Sequence, residues 1–378
     1  MIVEPEDIDG LVEEVSENCG CSRSHKVGLR SFEVVNGHAG EAVARALERV
    51  GGVDAVVVVV DRVTLDVLGR EVARALSSSG MSAKAIEVSK ADEANVALVE
   101  RALAESEAAV AVGGGTVIDV CKLASFRAGR PFVSVPTALS HDGIASPVAS
   151  IWLGGKPHRT SVLAREPVAV VADVAVMRSS PRRLTAAGVG DLLAKVTALK
   201  DWELGRDIKG EEVCEAAFKL EEMAIERALA FVAGGMRDHE GLLEGLVYSG
   251  LAMSLVGSSR PASGSEHLIS HYIDGKGRSK GLHGEQVAMA TVAMALYHSE
   301  VNSGNWWRDE RLSWRGIRRS MEAAGLPLGL AEIGVGEAEG VEAVVNAADL
   351  RPERFTVLHM VRPTESEALS ILRRSGLC

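Results

Sequence analysis

The sequence lacks the features that mark membrane-spanning, nucleic-acid-binding and secreted proteins. Even its aliphatic run Ala55–Val60 stops at Asp61, far short of the ~18 apolar residues that a membrane span needs. The net charge is −11 and no basic run exceeds a few residues, which argues against a nucleic-acid-binding surface. The N-terminal sequence MIVEPEDIDGLVEEV is acidic, unlike a signal or transit peptide. We therefore expect a cytoplasmic protein with no membrane span and no nucleic-acid partner.

Cysteine is also scarce, and its spacing is not that of a disulfide framework or a cysteine-based zinc site. The five cysteines are Cys19, Cys21, Cys121, Cys214 and Cys378, an odd number without any Cys-x-x-Cys pair. Cys19 and Cys21 form the only close pair. Because a second pair is missing, we do not expect a metal there. The role of residues 1–26 stays open.

The composition is that of a globular protein with more than one core. Hydrophobic residues make up 47% of the chain and charged residues 25%, which excludes a disordered protein. A chain of 378 residues is too long for one ordinary core and suits two domains.

The first half of the chain alternates strand-like and helix-like segments. Ala55–Val60 is a run of β-branched residues typical of a strand buried on both faces. Strands separated by helices predict βαβ units and a parallel sheet, as in a Rossmann-like α/β domain. The other predicted strands are 32–36, 83–88, 108–112, 131–135, 148–152, 161–163 and 168–176, and the predicted helices are 40–50, 64–77, 92–105 and 116–127.

The pattern changes after Pro181. The remaining chain has helical spacing and few strand-like runs, so we predict an all-α domain. We place the boundary near 179–183, which gives an α/β dinucleotide-binding domain at 1–180 and a helical metal- and substrate-binding domain at 181–378. The predicted helices are 184–204, 211–233, 239–257, 265–273, 284–300 and 311–324.

Three histidines cluster in the stretch 263–285, which reads SGSEHLISHYIDGKGRSKGLHGE. His267 and His271 are four residues apart and share one face of a helix, and His283 follows beside glycines. A lone buried histidine is usually part of a core, but three within so short a stretch indicate a metal site. No glutamate stands between them as it does in His-Glu-x-x-His metalloproteases.

A glycine-rich junction indicates a nucleotide site. Gly113-Gly114-Gly115-Thr116 runs from a predicted strand into a helix, where free N–H groups and the helix dipole can bind a pyrophosphate. A tight turn without a ligand is the alternative. Asp61 follows another strand, where a carboxylate can bind ribose hydroxyls, although a capping aspartate is equally common there.

Two further polar segments complete the candidate site. Residues 136–143, PTALSHDG, follow a strand at the sheet edge where ligands of parallel sheets bind, although such loops are often plain turns. Asp191, in the segment GVGD, is either a helix cap or an oxygen ligand. One carboxylate with two imidazoles would leave a fourth coordination position open, as in a catalytic zinc site.

Five blocks in order resemble the family of glycerol dehydrogenases, iron-containing alcohol dehydrogenases and 3-dehydroquinate synthases, and within it the archaeal sn-glycerol-1-phosphate dehydrogenases. These blocks are GGGTVIDVCKLAS, VSVPTALSHDGIASP, GVGDLLAK followed by Asp201-Trp202, GSEHLISHYID and GLHGEQVA. The resemblance spans about residues 27–360. It implies the dehydroquinate-synthase-like fold, bound NAD or NADP, one zinc ion per subunit and a homo-oligomer.

The resemblance also assigns roles to individual residues. Asp191, His267 and His283 would bind zinc, whereas His271 would contact the substrate, as would Asp142 and Asp191. These last three are the predicted catalytic residues. The predicted nucleotide contacts implied by the family motifs are Gly113, Gly114, Gly115, Thr116, Val117, Thr137, Ser140 and Ser146.

The reaction implied is reduction of dihydroxyacetone phosphate to sn-glycerol 1-phosphate, the backbone of archaeal ether lipids, with zinc polarising the ketone. Glycerol dehydrogenase and 3-dehydroquinate synthase are the alternatives. The synthase usually has a glutamate where this chain has Asp191. A cation must meet the substrate phosphate, and the cluster of Lys276, Arg278 and Lys280 is preferred over the other candidates, which are Lys195 and Arg260.

Overall fold

A seven-stranded sheet lies at the centre of the first half of the chain. The computed structural model describes residues 2–3, 5–155 and 158–378. Six of the described strands are parallel, and β1 pairs antiparallel with β2 at one edge. The spatial order is β1-β2-β9-β6-β5-β3-β4. The strands are β1 Ile2–Val3, β2 Ser31–Val35, β3 Ala55–Val60, β4 Ser82–Glu87, β5 Ala108–Gly113, β6 Phe132–Pro136 and β9 Ala169–Asp173.

The core lies on both faces of this sheet. In β3, Val57 and Val59 pack into one hydrophobic cluster, whereas Val56, Val58 and Val60 pack into a second cluster on the opposite face. Alternate side chains of a strand point to opposite faces, so a continuous valine run is what a doubly covered strand requires. The predicted parallel sheet is therefore confirmed.

Helices cover the sheet, and a separate two-stranded hairpin follows β6. The hairpin consists of β7, Val148–Ile151, and β8, Thr160–Leu163, paired antiparallel. A π-helical turn at Leu65–Gly69 precedes α3. The helices of this half that follow β2 are α2 Ala39–Val50, α3 Arg70–Ser78, α4 Glu93–Leu103, α5 Gly115–Ala128 and α6 Val174–Ser179.

The predicted strand 168–176 is wrong at its end. β9 stops at Asp173, whose carboxylate accepts a hydrogen bond from Ala175 N at 2.9 Å and caps α6. An N-cap aspartate satisfies amides that the first helical turn leaves without acceptors. Valines at 174 and 176 are helical despite their β-branched side chains.

The second half is helical, as predicted. No strand follows β9 in the described chain, and none of its helices is long and apolar enough to cross a membrane. Helix boundaries differ from the predicted ones by up to five residues. The helices are α7 Arg182–Lys209, α8 Glu215–Ala233, α9 His239–Val256, α10 Ser265–Lys276, α11 His283–Val301, α12 Trp314–Ala324, α13 Glu337–Asn346, α14 Val357–Met360 and α15 Glu365–Arg374.

The N-terminal segment crosses to the helical half. Helix α1, Pro5–Ser16, packs against α8, and residues 17–30, which contain no helix or strand, lead back to β2. The gap between α6 and α7 coincides with the predicted boundary at residue 180. The division into 1–180 and 181–378 remains a prediction, since residues of the first segment pack on the second.

Candidate active site

A cleft of about 580 Å³ lies between the carboxyl ends of the parallel strands and the helical half. Parallel α/β sheets bind ligands at this edge. The cleft is lined by most of the residues that the sequence singled out. These are Asp61, Gly114, Gly115, Thr116, Thr137, Ser140, Asp142, Ser146, His267, His271 and His283.

The glycine-rich junction forms one side of the cleft. Gly114 is the N-cap of α5, and no atom lies within 4 Å of the position that a Cβ would take there. A ligand can therefore approach the backbone, and the first amides of α5 lack helical acceptors. Gly113 and Val117 do not line the cleft, so Val117 can contribute only through its amide. Val117 packs where a side chain at position 113 would collide.

A buried lysine holds the polar loop after β6. Lys122 is fully buried and donates hydrogen bonds from Nζ to the carbonyls of Gly143 and Val148, both at 2.8 Å. Its charge is balanced by Asp119 at 3.6 Å. Lys122 thus restrains the loop from its buried side, and the loop residues His141 and Asp142 line the cleft.

Asp61 also faces the cleft, with one oxygen already occupied. Its Oδ1 accepts hydrogen bonds from the amides of Val63 and Thr64, both at 2.8 Å. The capping role and the predicted ribose contact are compatible, because these bonds leave Oδ2 available.

Asp191, His267 and His283 form a potential metal-binding group. One potential ligand atom from each lies within 4.8 Å of the others, and the rings of His267 and His283 are 5.1 Å apart between centroids. Asp191 lies within α7, ten residues into the helix, so it is not an N-cap. Of the two alternatives left open for this residue, the metal-ligand interpretation is the one compatible with its position.

Close helix packing at glycines brings these ligands together. A Cβ at Gly190 would lie 2.3 Å from the carbonyl oxygen of Gly284, and one at Gly284 would lie 1.9 Å from that of Ala187. A Cβ at Gly188 would lie 2.1 Å from the carbonyl oxygen of Leu139 in the polar loop. Glycine is therefore required where α7 meets α11 and the loop.

The hydrogen bonds of the two histidines prepare them for a metal. His267 Nδ1 lies 2.7 Å from Glu266 Oε1, and a carboxylate can only accept, so Nε2 keeps its lone pair. His283 Nδ1 lies 3.5 Å from Ser270 Oγ, whose proton is donated to Gln286 Oε1 at 2.7 Å. Ser270 Oγ thus accepts a hydrogen bond from His283 Nδ1, and the lone pair of His283 Nε2 remains available to a metal.

Lys195 fixes the carboxylates beside this cluster. It is fully buried, and its Nζ lies 2.7 Å from Asp142 Oδ2 and 3.1 Å from Asp191 Oδ1. Burial opposes ionisation of Asp191, but the charge of Lys195 and the hydrogen bond from the Asp142 amide act in the opposite direction, and the pKa of that carboxyl is lowered. Asp191 Oδ2 accepts a hydrogen bond from the Asp142 amide at 2.8 Å, and its further lone pairs remain for a metal.

Glu221 is a fully buried carboxyl in the same network. Burial raises its pKa to about 8, although Lys195 acts in the opposite direction. Ser249 Oγ lies 3.1 Å from Glu221 Oε1 and 3.0 Å from Asp142 Oδ2, and so links the two carboxyls. Nothing in the sequence pattern pointed to Glu221, because its neighbours are distant in the chain.

His271 lies beside the metal group and outside it. Its ring centroid is 6.5 Å from that of His267 and 6.4 Å from that of His283. Burial lowers its pKa to about 3, so the ring is neutral. Its buried Nδ1 has no hydrogen-bond partner among the described residues, and the ring lines the cleft. It is placed to bind a ligand.

The structure does not support Lys276, Arg278 and Lys280 as a phosphate-binding cluster. None of the three lines the cleft, and Lys276 pairs with Glu342 at 2.5 Å. Nor is Lys195 free, since two carboxylates hold it. Arg260 pairs with Glu211 at 2.7 Å, away from the cleft.

Two residues that the sequence did not single out also line the cleft. Arg159 is its only lysine or arginine among the described residues. Its Nη2 donates to Ser150 O at 2.8 Å, and its buried Nε has no partner in the described chain. His141 accepts from the Gly143 amide at Nδ1, at 2.8 Å, and its buried Nε2 is likewise unpartnered in the part of the chain described. His141 lay within a quoted motif, whereas Arg159 carried no signal.

Comparison with known proteins gives a consistent result. Residues 33–181 match the family model described as iron-containing alcohol dehydrogenase. The chain is 42% identical to glycerol-1-phosphate dehydrogenase [NAD(P)+] of Pyrococcus furiosus, over 80% of this chain and 85% of that one. It is 38% identical to the enzyme of that name from Archaeoglobus fulgidus, over 77% and 82% respectively. A probable glycerol dehydrogenase from Sinorhizobium meliloti 1021 shares the fold, with a TM-score of 0.73, 22% identity and coverage of 91% and 96%.

Proposed function

Because the chain belongs to the glycerol-1-phosphate dehydrogenase family, we propose that it reduces dihydroxyacetone phosphate to sn-glycerol 1-phosphate with NADH or NADPH. The observation that carries this proposal is the position of His267 and His283 in the same cleft as the nucleotide-type junction at Gly114. A nucleotide and a metal bound in this cleft would both be close enough to contact the same substrate molecule. The product would supply the backbone of archaeal ether phospholipids, in the cytoplasm, and we expect a homo-oligomer.

We assign zinc to Asp191, His267 and His283. The group offers one oxygen and two nitrogens, and both imidazoles present Nε2. Three protein ligands and a vacant fourth position are typical of catalytic zinc. When bound, the ion supplies Lewis-acid polarisation of the substrate carbonyl.

The residues proposed to bind the nucleotide would orient the cofactor and would take no part in the chemical step. The free amides of α5 would bind the pyrophosphate, while the hydroxyls of Thr137, Ser140 and Ser146 line the adjoining wall. Asp61 would accept from the ribose. The hydride belongs to the cofactor, so these groups decide which face of the ketone it reaches.

His271 and Asp142 are the proposed substrate contacts. His271 is neutral and has an unpartnered Nδ1, so it can donate or accept at a substrate hydroxyl. Asp142 is held by Lys195 and Ser249, which restrict its carboxylate to one orientation. Asp191 would contact the substrate through its position beside Asp142. Preorganised groups of this kind favour the transition state because they need not rearrange.

Arg159 is the proposed contact of the substrate phosphate. It is the one guanidinium among the described cleft residues, and its buried Nε lacks a partner. Its charge is also among the smaller causes of the lowered pKa values of His271 and His283, after burial and the charges of other neighbouring groups. Arginine binds phosphate through several directed N–H groups.

A single assay separates this proposal from its alternatives. Purified protein with zinc and NADH should consume NADH when dihydroxyacetone phosphate is added. Turnover of free dihydroxyacetone at an equal rate would instead indicate a glycerol dehydrogenase. A 3-dehydroquinate synthase would convert its heptulosonate phosphate substrate without net consumption of NADH, and that outcome would reject the proposal.

A further inference from the structure

A second group of potential metal ligands lies where the N-terminal segment packs on α8. Cys19, Cys21 and His25 belong to the irregular segment 17–30, and Cys214 is the N-cap residue of α8. All five cysteines of the chain are free thiols. We propose that these three thiols and one imidazole hold a structural zinc ion, separate from the metal of the cleft.

The distances between the four side chains are those of a zinc-centred tetrahedron. Zn–S bonds of ~2.3 Å and Zn–N bonds of ~2.0 Å imply separations of about 3.8 Å between two sulfurs and about 3.5 Å between sulfur and nitrogen. Cys19 Sγ lies 3.5 Å from Cys21 Sγ and 3.9 Å from Cys214 Sγ. His25 Nε2 lies 3.2 Å from Cys21 Sγ and 3.4 Å from Cys214 Sγ.

The four ligand atoms converge on one point. All lie within 4.8 Å of one another, so a single ion can contact every ligand. A disulfide would join only two of the sulfurs and would leave His25 facing an unpaired third. A Cys₃His set is complete at four ligands and has no position for a substrate, which is the arrangement of structural zinc.

Cys214 lies at the start of α8, where burial raises the pKa of its thiol to about 12 and the helix dipole acts in the opposite direction. This side chain is fully buried, and the first amides of a helix have no acceptors within the helix. The positive end of the helix dipole stabilises a negative sulfur at that position. Zinc binds the thiolate form of cysteine, so the helix start and the ion act in the same direction.

Contacts outside the cluster position the segment that carries the other ligands. The Ser22 amide donates to Glu212 Oε1 at 2.7 Å, and Arg23 Nε lies 3.4 Å from the second oxygen of the same carboxylate. Arg23 Nη1 donates to Val256 O at 2.8 Å, at the end of α9. These bonds flank the ligands, so the segment is held against α8 close to the arrangement that zinc requires.

The expected role is to fasten the N-terminal segment to the helical half. Residues 17–30 have no helix or strand to restrain them, and Cys214 is almost two hundred residues away in sequence. A cross-link over such a distance removes much conformational freedom from the unfolded chain. The free energy of zinc binding would therefore add to the free energy of folding.

Metal counting tests the proposal on the intact protein. Protein purified with zinc should contain two zinc ions per chain, instead of the single ion expected for the cleft alone. Cys21→Ser and His25→Ala should each lower the count to one. Cys378→Ser is the matched control, because this exposed cysteine is outside the cluster, and it should keep both ions.

Cobalt substitution shows which site holds the metal, even if a cysteine variant fails to fold. Thiolate-to-cobalt charge transfer absorbs in the near ultraviolet and requires sulfur ligands, which the cleft group lacks. The unmodified protein should show this band, and Asp191→Asn should retain it. If the protein binds one cobalt ion and shows the charge-transfer band, the cysteine site is supported and the assignment of a metal to the cleft is rejected. Absence of the band, or a disulfide among these cysteines in the native protein, would overturn the inference.

Discussion

The two groups of potential metal ligands in this chain differ in donor chemistry, number and surroundings. The cleft group of Asp191, His267 and His283 offers three potential nitrogen and oxygen ligands from three helices, in the cleft that the glycine-rich junction also lines. The N-terminal group, Cys19, Cys21, His25 and Cys214, has four ligands, three of them sulfur, and does not line the cleft. We expect a catalytic role for the cleft group, because a set of three ligands leaves a coordination position for a substrate. We expect a purely structural role for the N-terminal group, whose four ligands fill the coordination positions.

The comparison also shows how each group is held in place. The cleft ligands are fixed by buried partners, Glu266 for His267 and Lys195 for Asp191, which persist without a metal. The N-terminal ligands have mainly one another as partners. Removal of the metal should therefore leave the cleft folded but inactive, whereas it should loosen the segment 17–30.

The largest effect is expected from the cleft ligands. Asp191→Asn, His267→Ala and His283→Ala should each lose the cleft metal and reduce kcat/KM by about a thousandfold or more, equivalent to ~4 kcal/mol. Steady-state kinetics and metal content check this. By comparison, His25→Ala should keep the cleft metal. Full metal occupancy in any cleft variant would remove that residue from the ligand set.

The next effect concerns His271, which is near the cleft metal without binding it. His271→Ala should keep its metal and lower kcat/KM by roughly a hundredfold, since a group that contacts the substrate has been removed. Metal analysis on the purified variant decides the point. Loss of one ion per chain would mean that all three histidines of this stretch are ligands.

A smaller, substrate-selective effect is expected at Arg159. Arg159→Ala should reduce kcat/KM for dihydroxyacetone phosphate by about thirtyfold, or ~2 kcal/mol, as expected for loss of a charged hydrogen bond. Turnover of free dihydroxyacetone should hardly change. Lys276→Ala is the control, because Lys276 pairs with Glu342 outside the cleft. A phosphate defect in the control alone would restore the cluster that the sequence favoured.

The smallest effect is expected at Asp61, which follows β3 and lines the cleft. Its charge opposes the 2′-phosphate of NADP, and the exposed Arg62 beside it partly offsets that repulsion, so both cofactors should be used. Asp61→Asn preserves the Oδ1 cap and should raise the NADPH-to-NADH ratio of kcat/KM about tenfold. Asp66→Asn, in the π-helical turn that follows, should leave this ratio unchanged. A parent preference for NADP beyond about a hundredfold, ~2.7 kcal/mol, would falsify the ribose assignment.

The cleft was largely predictable from the sequence because its signals are local. A valine run predicts a buried strand, glycines at its neighbour's end predict a nucleotide turn, and His267 and His271 share a helix face. The distinction between those two histidines came from family resemblance and not from spacing. Arg159 and Glu221 gave no such signal, since their roles depend on which distant residues the fold places beside them.

The cysteine group was not predictable for the same physical reason. Spacing rules look for pairs close in sequence, and only Cys19, Cys21 and His25 meet that condition. The fourth ligand, Cys214, joins them through the packing of α1 on α8. From the sequence we expected no metal at Cys19 and Cys21, and the proximity of Cys214 and His25 in the fold is the observation that leads us to propose one.

The measurement that tests the central claim most directly is the ratio of kcat/KM for dihydroxyacetone phosphate to that for free dihydroxyacetone, with the product's configuration assigned by a stereospecific coupled enzyme. A charged phosphate contact acts in the transition state as well as the ground state. We expect the phosphorylated ketone to be preferred by about a hundredfold or more, ~2.7 kcal/mol, with sn-glycerol 1-phosphate as the product. A ratio near one would contradict the assignment of the substrate, and sn-glycerol 3-phosphate as the product would contradict the assignment of the hydride face.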